Sequence, residues 1–329
     1  MNGPSFQYRR AENAHDALIQ ASKPGAAYIA GGTDLLQLWK SGAMAPVAVI
    51  DISRLPLRGV EFIDGQLSLG ALARLSDVAT HPDVARYHPL IADAILASAS
   101  GQIRNMATVG GNLLQRTRCP YFRNEQLVCN KRKPGSGCGA LSGENRHAAL
   151  FGTSPLCVAT HASDLTVALA ALDAEVEVFG SEGERRFSLR DLYRLPGETP
   201  ERETNLAPGE LVTGVYVPNA TRFSGCSTYL KIRDRASFEF AIVSVAAALQ
   251  IENGKTVEAR LAAGGVAPLP WRLDRTEAAL VGRALDAQTI AAAGDMAVEH
   301  ARPLADNSFK IALLRNAVIR ALQTLGSQP

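Results

Sequence analysis

The chain has 329 residues, of which 47% are hydrophobic and 20% are charged, and its formal net charge at pH 7 is +2. Such a chain is long enough to bury two or three cores, and its small net charge argues against a nucleic-acid-binding protein. No apolar run reaches the roughly 18 residues of a membrane span, and the start lacks the apolar segment of a secretory signal. We therefore expect a multi-domain globular protein with no export signal of its own.

The first part of the chain alternates between short strands and amphipathic helices. Apolar spacing predicts a helix in AENAHDALIQAS and strands in AAYIAGG, AVIDIS and QLSLGAL. Two further helices are predicted: LSDVATHP, with Ser76 as its N-cap, and LIADAILASAS, which ends at Gly101. This alternation indicates an α/β or α+β domain.

Beyond about residue 220 the pattern changes to long antiparallel strands followed by helices. STYLKIR and the segment AIVSVAAALQIENGKTVEARLAAGGVA predict strands, with a hairpin turn at Asn253 and Gly254. Helices are predicted in DRTEAALVG, in DAQTIAAAGDMAVEHA and in the final NSFKIALLRNAVIRALQTLG. The last helix is expected to start at Asn307 or Ser308 and to end at Gly326. We place a domain boundary within residues 218–224.

Four of the five cysteines, Cys119, Cys129, Cys138 and Cys157, lie within 39 residues, separated by nine, eight and eighteen residues. Disulfides are disfavoured because the chain lacks a secretory signal. Zinc sites usually contain closely spaced cysteine pairs, whereas the ligand spacing of iron-sulfur clusters varies between families. The spacing alone leaves these alternatives open. Cys226 lies apart and is expected to be a small buried apolar residue.

Basic side chains are concentrated around this cysteine loop. Nearby cations would stabilise the net negative charge of a cluster bound by four thiolates, although a solvated basic loop is the ordinary alternative. Glu125 is the acidic residue that lies among these basic side chains. The cations are Arg104, Arg116, Arg118, Arg123, Lys131, Arg132 and Lys133.

Two glycine-rich turns form a second group of candidate residues. Gly31 and Gly32 lie between a predicted strand and a predicted helix, where backbone N–H groups can approach a diphosphate. Their spacing does not match the G-x-G-x-x-G dinucleotide fingerprint. A second pair, Gly110 and Gly111, precedes the cysteine loop, and Asp164 can accept hydrogen bonds from ribose or ribityl hydroxyls. Each feature alone is also compatible with a turn or a cap.

Taken together, these segments resemble the flavin subunits of molybdenum-containing hydroxylases, the xanthine dehydrogenase family. The similarity covers nearly the whole chain in order, and the cysteine surroundings CPYF and GSGC resemble the aldehyde oxidoreductase branch, whose flavin subunit carries FAD and a 4Fe-4S cluster. The segments are AGGTDLL, GQIRNMATVGGNLLQRTRCPYF, CNKRKPGSGCGAL, THASDLTVALAALDA, YLKIRDRASFEFAIVSVAAAL and AAGGVAPLPWR.

The resemblance implies an α+β fold with two domains. The first is a vanillyl-alcohol-oxidase-like (PCMH-type) FAD-binding domain, residues 1–220, with one lobe at about 1–56 and a second at about 57–220. A 4Fe-4S loop, residues 115–160, is inserted in the second lobe. Residues 221–329 are expected to form a C-terminal domain like that of CO dehydrogenase flavoproteins, with a three-stranded antiparallel sheet and helices.

The resemblance also implies the binding residues. The first glycine turn would wrap the FAD pyrophosphate, Asp164 would contact the ribityl chain, and Leu211 and Val212 would lie near the flavin ring. Cys119, Cys129, Cys138 and Cys157 would bind the 4Fe-4S cluster. The implied FAD-binding residues are Ala30, Gly31, Gly32, Thr33, Asp34, Leu35, Thr108, Gly111, Asn112, Gln115, Asp164, Leu211, Val212 and Lys231.

The implied function is electron transfer within a heterotrimeric, molybdenum-dependent aldehyde oxidoreductase. A large subunit would hold a molybdopterin cofactor, a small subunit two 2Fe-2S clusters, and FAD in this chain would pass electrons to a soluble acceptor. No residue of this chain is then expected to act as a catalytic acid, base or nucleophile, and all six histidines are expected to be non-catalytic.

Two alternative functions remain. One is the beta subunit of a 4-hydroxybenzoyl-CoA-reductase-like enzyme, and the other is a zinc-stabilised, non-redox nucleotide-binding scaffold. The resemblance implies a periplasmic location through co-export with a signal-bearing partner, whereas the missing signal is also compatible with the cytoplasm.

Overall fold

The computed structural model describes residues 6–218 and 220–327. The N-terminal part contains a three-stranded parallel sheet in the order β1-β3-β2, in which Ala48 of the central strand lies opposite Gln7 and Ala26. The first helix starts where the Asn13 side chain accepts a hydrogen bond from the N–H of Asp16. The elements are β1 (Gln7–Arg10), α1 (Ala14–Ala21), β2 (Ala26–Ile29), α2 (Leu35–Lys40) and β3 (Ala48–Asp51).

The middle of the chain forms a five-stranded antiparallel sheet in the order β4-β5-β8-β6-β7, with helices packed against it. Its strands are β4 (Val60–Ile63), β5 (Gln66–Gly70), β6 (Glu175–Gly180), β7 (Gly183–Ser188) and β8 (Leu211–Val217). The helices are α3 (Leu75–Thr80), α4 (Pro82–Tyr87), α5 (Pro89–Ala97), α6 (Gly101–Arg104), α7 (Val109–Leu113), α8 (Pro120–Arg123), α9 (Asp164–Ala171) and α10 (Leu189–Leu192).

Two predicted helix ends are wrong. Ser76 is the second residue of α3, because Arg74 occupies the N-cap position in an extended conformation. The helix expected to reach Gly101 ends at Ala97, and Gly101 instead starts α6, with Ser100 accepting a hydrogen bond from the Ile103 N–H. Serine at an N-cap accounts for this second helix start.

The C-terminal part is an antiparallel sheet covered by helices. Asn253 and Gly254 have φ values of 50° and 74°, which confirms the predicted hairpin turn. The sheet has four strands in the order β12-β11-β10-β9, not three, because the two-residue strand Trp271–Arg272 pairs with β11. The elements are β9 (Ser227–Ile232), β10 (Val243–Glu252), β11 (Lys255–Gly264), β12 (Trp271–Arg272), α11 (Asp274–Leu280), α12 (Ala287–Ala297) and α13 (Phe309–Gly326).

Helix α9 joins the middle and C-terminal parts. All eight of its residues are buried, and it contacts α5 on one side and β10 and β11 on the other. Buried Arg272 reinforces this junction by donating to the Ala170 carbonyl and to the carboxylates of Asp173 and Glu277.

The sheets and helices together confirm the predicted α+β class. The division of the chain into two domains at residue 220 stays a prediction. No helix in the described ranges is long and apolar enough to cross a membrane.

Candidate functional site

The first glycine turn lies between β2 and α2 and requires glycine for steric reasons. A Cβ on Gly31 would stand 1.8 Å from the Met106 carbonyl oxygen, and Gly32 has a φ of +70°. The N–H groups of Gly32, Thr33 and Asp34 donate no hydrogen bond within the part of the chain that the structure describes. Consecutive free N–H groups of this kind suit the oxygens of a pyrophosphate.

A cavity of about 260 Å³ opens beside this turn. The second glycine turn forms its opposite wall, where the Thr108 hydroxyl accepts a hydrogen bond from the Gly111 N–H at 3.3 Å. The predicted FAD-binding residues that line this cavity are Ala30, Gly31, Gly32, Thr33, Asp34, Leu35, Thr108, Gly111, Leu211 and Val212.

Two further cavities continue from the first. A cavity of about 190 Å³ shares Asp34 and Gly111 with it and is also lined by the predicted residues Asn112 and Gln115. A third, of about 370 Å³, shares Asp164 and other residues with the second and extends between the cysteine loop and the C-terminal sheet. Because neighbouring cavities share walls, we describe the three together as the groove.

Asp164 lies at the middle of the groove, and both of its carboxylate oxygens have partners. The Tyr229 hydroxyl donates to Oδ1 at 2.7 Å, and Lys231 Nζ donates to Oδ2 at 2.8 Å and to the Ala97 carbonyl at 3.1 Å. Burial and the neighbouring carboxylate raise the pKa of Tyr229 well above its ordinary value. Lys231 thus contacts Asp164 directly and does not line any of the three cavities.

Asp34 connects the glycine turn to the cysteine loop. Its carboxylate accepts hydrogen bonds from the Arg116 N–H at 2.8 Å and from Arg123 Nη2 at 2.7 Å, and Arg118 Nη1 lies 3.0 Å away. Burial lowers the pKa of Arg118 to about 10, although Asp34 opposes this shift. The Arg118 guanidinium also lies over the Phe240 ring, 4.6 Å from its centroid. The predicted FAD contact Asp34 therefore also positions the first segment of the cysteine loop.

The four clustered cysteines are free thiols on one loop. Cys129 and Cys138 face each other in an antiparallel bridge. Cys157 lies close enough to both of them to interact electrostatically, and Cys119 lies close enough to Cys129 and Cys157. Burial raises the pKa of Cys119 to about 11 and also raises the pKa of Cys157, which Lys131 partly opposes. Cys119 lines the largest cavity of the groove, so the loop borders it directly.

Most cations of the loop bind other protein groups. Arg132 donates to the carbonyls of Tyr121 and Phe122 at 2.6 and 2.7 Å and also to the carbonyl of Leu127. Buried Lys131 donates to the Pro200 carbonyl at 2.8 Å. These contacts stabilise the loop backbone in a region with little regular secondary structure, so the alternative of a simply solvated basic loop is wrong for these side chains.

Among the residues that the structure describes, neither Cys226 nor His161 belongs to a group of three or more side chains that could hold a metal ion. Cys226 is half-buried against the C-terminal core rather than fully buried. His161 borders the groove, where its ring meets Tyr193 edge-on and burial lowers its pKa to about 4. The histidine is therefore neutral at pH 7.

The donor chemistry fits both implied groups. The free N–H groups and the groove suit FAD, and four thiols in one loop suit a 4Fe-4S cluster, whose irons are bound one thiolate each. Within residues 6–218 and 220–327, no three His, Cys, Asp or Glu side chains converge on a position for a single metal ion. The argument for a 4Fe-4S cluster therefore rests on the type and number of the donors and not on their geometry.

The sequence reasoning missed two polar residues, the half-buried Tyr229 and the buried Lys310. Tyr229 precedes Lys231 by two positions on β9, so the period of a strand places both side chains on one face. Lys310 precedes Leu314 by four positions on α13 and shares its buried face. For Lys310, a polar residue on an apolar helix face was the available signal, whereas Tyr229 shares its strand face with Ser227 and Lys231 and carried no such signal.

An α+β chain with free N–H donors beside a groove has the features of a protein that binds a diphosphate-containing cofactor. Residues 4–220 match the family model for the FAD binding domain in molybdopterin dehydrogenase, and residues 228–325 match that for the CO dehydrogenase flavoprotein C-terminal domain. The chain belongs to this family of FAD-binding subunits of molybdopterin dehydrogenases.

Similar proteins extend over the full length of the chain. The aldehyde oxidoreductase FAD-binding subunit PaoB of Escherichia coli K12 is 44% identical over 327 residues, 98% of this chain and 99% of that protein. The glyceraldehyde dehydrogenase medium chain of Sulfolobus acidocaldarius is 28% identical, covering 87% of this chain and 84% of the relative. The solved carbon monoxide dehydrogenase of Hydrogenophaga pseudoflava shares the fold, with a TM-score of 0.78, 24% identity and coverage of 100% and 99%.

Proposed function

We propose that this chain is the FAD and 4Fe-4S subunit of a heterotrimeric, molybdenum-dependent aldehyde oxidoreductase. The full-length similarity to the Escherichia coli aldehyde oxidoreductase subunit supports the aldehyde branch. The observation that carries the cluster assignment is the position of four free thiols on a loop that borders the groove. The aldehyde would react on the large molybdopterin-binding partner, and a small 2Fe-2S subunit would supply the electrons.

Bound FAD would supply electron transfer in steps of one or two electrons, and a 4Fe-4S cluster would supply one-electron transfer. The role of this chain's own residues is to bind FAD and to orient it. The N–H groups of residues 32–34 would hold the pyrophosphate, Asp164 would accept hydrogen bonds from hydroxyl groups, and Leu211 and Val212 offer apolar contact.

A series of hydrogen bonds connects the two proposed sites. Asp34 bonds to Arg123 in the cysteine loop, and Arg123 Nε in turn donates to the Thr117 carbonyl at 2.9 Å. Cys119 follows two residues later, and its N–H donates to the Thr117 hydroxyl. These contacts would hold the loop in a constant position relative to the glycine turn.

An ultraviolet-visible spectrum of the anaerobically purified chain, before and after dithionite, tests the proposal. Iron, zinc and acid-released flavin are assayed on the same sample. We expect flavin bands over a broad shoulder that bleaches, with about four irons and one FAD per chain. One zinc in a colourless protein would instead indicate a scaffold, and flavin without iron would contradict the cluster. If both cofactors are present, the assembled complex is assayed with aldehydes and with 4-hydroxybenzoyl-CoA. Turnover of one substrate and not the other distinguishes an aldehyde oxidoreductase from a 4-hydroxybenzoyl-CoA-reductase-like enzyme.

A further inference from the structure

Lys310 is a buried amine that joins two separate walls of the groove. It lies in the first turn of α13, and the residue is 1% exposed. Its Nζ donates to the Ala148 carbonyl at 2.9 Å and to the Gly265 carbonyl at 2.5 Å. Ala148 belongs to the second half of the cysteine loop, whereas Gly265 follows β11 in the C-terminal sheet. One side chain from the last helix therefore connects both segments.

Both acceptor residues line the largest cavity of the groove. Gly265 has a φ of +72°, and a Cβ at this position would stand 2.7 Å from the Ile242 carbonyl oxygen, so the turn requires glycine. Beside it, the N–H of Leu150 donates to the Val266 carbonyl at 2.7 Å. Two further backbone contacts join the same walls, since the Phe151 N–H donates to the Val266 carbonyl at 3.1 Å and the His161 N–H donates to the Ala267 carbonyl at 2.9 Å. The Lys310 amine adds the side-chain link between the two walls.

Residues just before the last helix contact the same loop. Asn307, which is fully buried, donates to the Ala148 carbonyl at 3.0 Å. Asn145 and Asp306 exchange hydrogen bonds, with each side chain accepting from the backbone N–H of the other residue. The start of α13 is therefore fitted to the cysteine loop by several polar contacts, and Lys310 extends this contact to Gly265.

A buried amine at this position is energetically unfavourable. No carboxylate in the described ranges forms an ion pair with Lys310, and burial, together with the nearby charge of Arg146, lowers its pKa to about 7. A methionine would fill similar space without the cost of burying a polar group. The benefit that offsets this cost is the pair of hydrogen bonds to the two walls.

We propose that Lys310 is a positioning residue for the groove, because its amine holds the cysteine-loop wall and the C-terminal wall at a set separation. The inference rests on the proposed binding of FAD in the groove. Lys310 touches neither the glycine turn nor Asp164, so it would act on FAD through the carbonyl-bearing segments that it holds.

The test compares Lys310→Met and Lys310→Gln with the exposed control Lys255→Met in the full chain. Hydrogen exchange measured by mass spectrometry follows the amides of residues 145–151 and 264–267, and fluorescence titration gives the FAD dissociation constant. Loss of both hydrogen bonds in Lys310→Met should raise that constant and the local exchange rates about tenfold. Lys310→Gln, which keeps an N–H donor, should recover part of both effects, and Lys255→Met should match the wild type.

Exchange that accelerates evenly over the whole Lys310→Met chain, or that does not change in these two segments, would overturn the inference. So would unchanged FAD affinity in Lys310→Met. If neither Lys310 variant folds, the residue is a stabilising core residue and the positioning role is wrong. If the wild type fails to bind FAD, the proposed function fails, and the exchange data still decide whether Lys310 joins the two walls.

Discussion

Lys231 and Asp164 form a buried ion pair that connects the C-terminal sheet to the first residue of α9. Lys231 Nζ lies 2.8 Å from Asp164 Oδ2, and the two side chains are 3% and 5% exposed. Tyr229, two residues before Lys231 on the same strand, donates to the other carboxylate oxygen. The residue predicted to contact the ribityl chain is thus held by the domain that follows it.

Replacing Lys231 with methionine should strongly destabilise the chain. The substitution leaves the Asp164 carboxylate buried with Tyr229 as its remaining side-chain partner, which costs roughly 3–5 kcal/mol of unfolding free energy. Adding Asp164→Asn should recover part of this loss, because the buried charge is removed. Urea unfolding followed by circular dichroism measures both effects.

The control for this experiment is the ion pair between Arg190 and Asp274, whose side chains are 50% and 55% exposed. Because an exposed pair contributes little, Arg190→Met should cost less than about 1 kcal/mol. Equal losses of unfolding free energy in Lys231→Met and Arg190→Met would show that the buried ion pair stabilises the chain no more than the exposed pair does.

Alanine at Gly31 should strongly reduce flavin retention. Its Cβ would stand 1.8 Å from the Met106 carbonyl oxygen, so the glycine turn must move away from the second wall of the groove. We expect at least a tenfold loss of acid-released FAD per chain, on the order expected when a positioned binding loop is displaced. Gly101→Ala is the control, since its Cβ would meet nothing within 4 Å. Equal flavin contents in the two variants would contradict the predicted role of the turn.

Serine at Cys129 should remove the iron but preserve the fold of the C-terminal part. With one of four thiolate ligands lost, we expect iron to fall from about four per chain to well below that number. The matched change Cys226→Ser alters a half-buried thiol in the C-terminal core and should leave the iron content unchanged. The cluster assignment is wrong if both variants retain iron equally, or if the wild type contains none.

Lys310 should make stability depend on pH above neutrality. Burial lowers its pKa from the ordinary 10.5 to about 7, so in that interval the unfolded chain binds a proton that the folded chain lacks. Unfolding then takes up a proton, and the unfolding free energy of the wild type rises with pH by at most about 1.4 kcal/mol per unit from this group.

Urea unfolding of the wild type and Lys310→Met at pH 7, 8 and 9 isolates this contribution, because other titrating groups are common to both proteins. The wild type should gain stability relative to Lys310→Met as the pH rises. A constant difference across the three values would mean that Lys310 keeps an ordinary pKa in the folded chain.

Much of the fold follows from local patterns. The turn at Asn253 and Gly254 was predictable because both residues tolerate the positive φ that a two-residue hairpin requires. Helix ends were less predictable: Ser76 and Gly101 have suitable chemistry for a cap and a stop, yet neighbouring residues take those positions. Which of two or three neighbouring residues becomes the helix cap depends on how the chain enters the core. Local propensity does not encode that choice.

The sequence by itself determined many of the strands and helices, the glycine turns, the grouping of the thiols and the family. These features depend on residues that are near neighbours along the chain, where period and spacing are directly visible. The tertiary structure alone decided that Lys231 meets Asp164 across 67 residues and that Lys310 meets Ala148 across 162. Such contacts arise when distant segments pack to bury apolar surface, and no local period specifies which polar groups are then enclosed together.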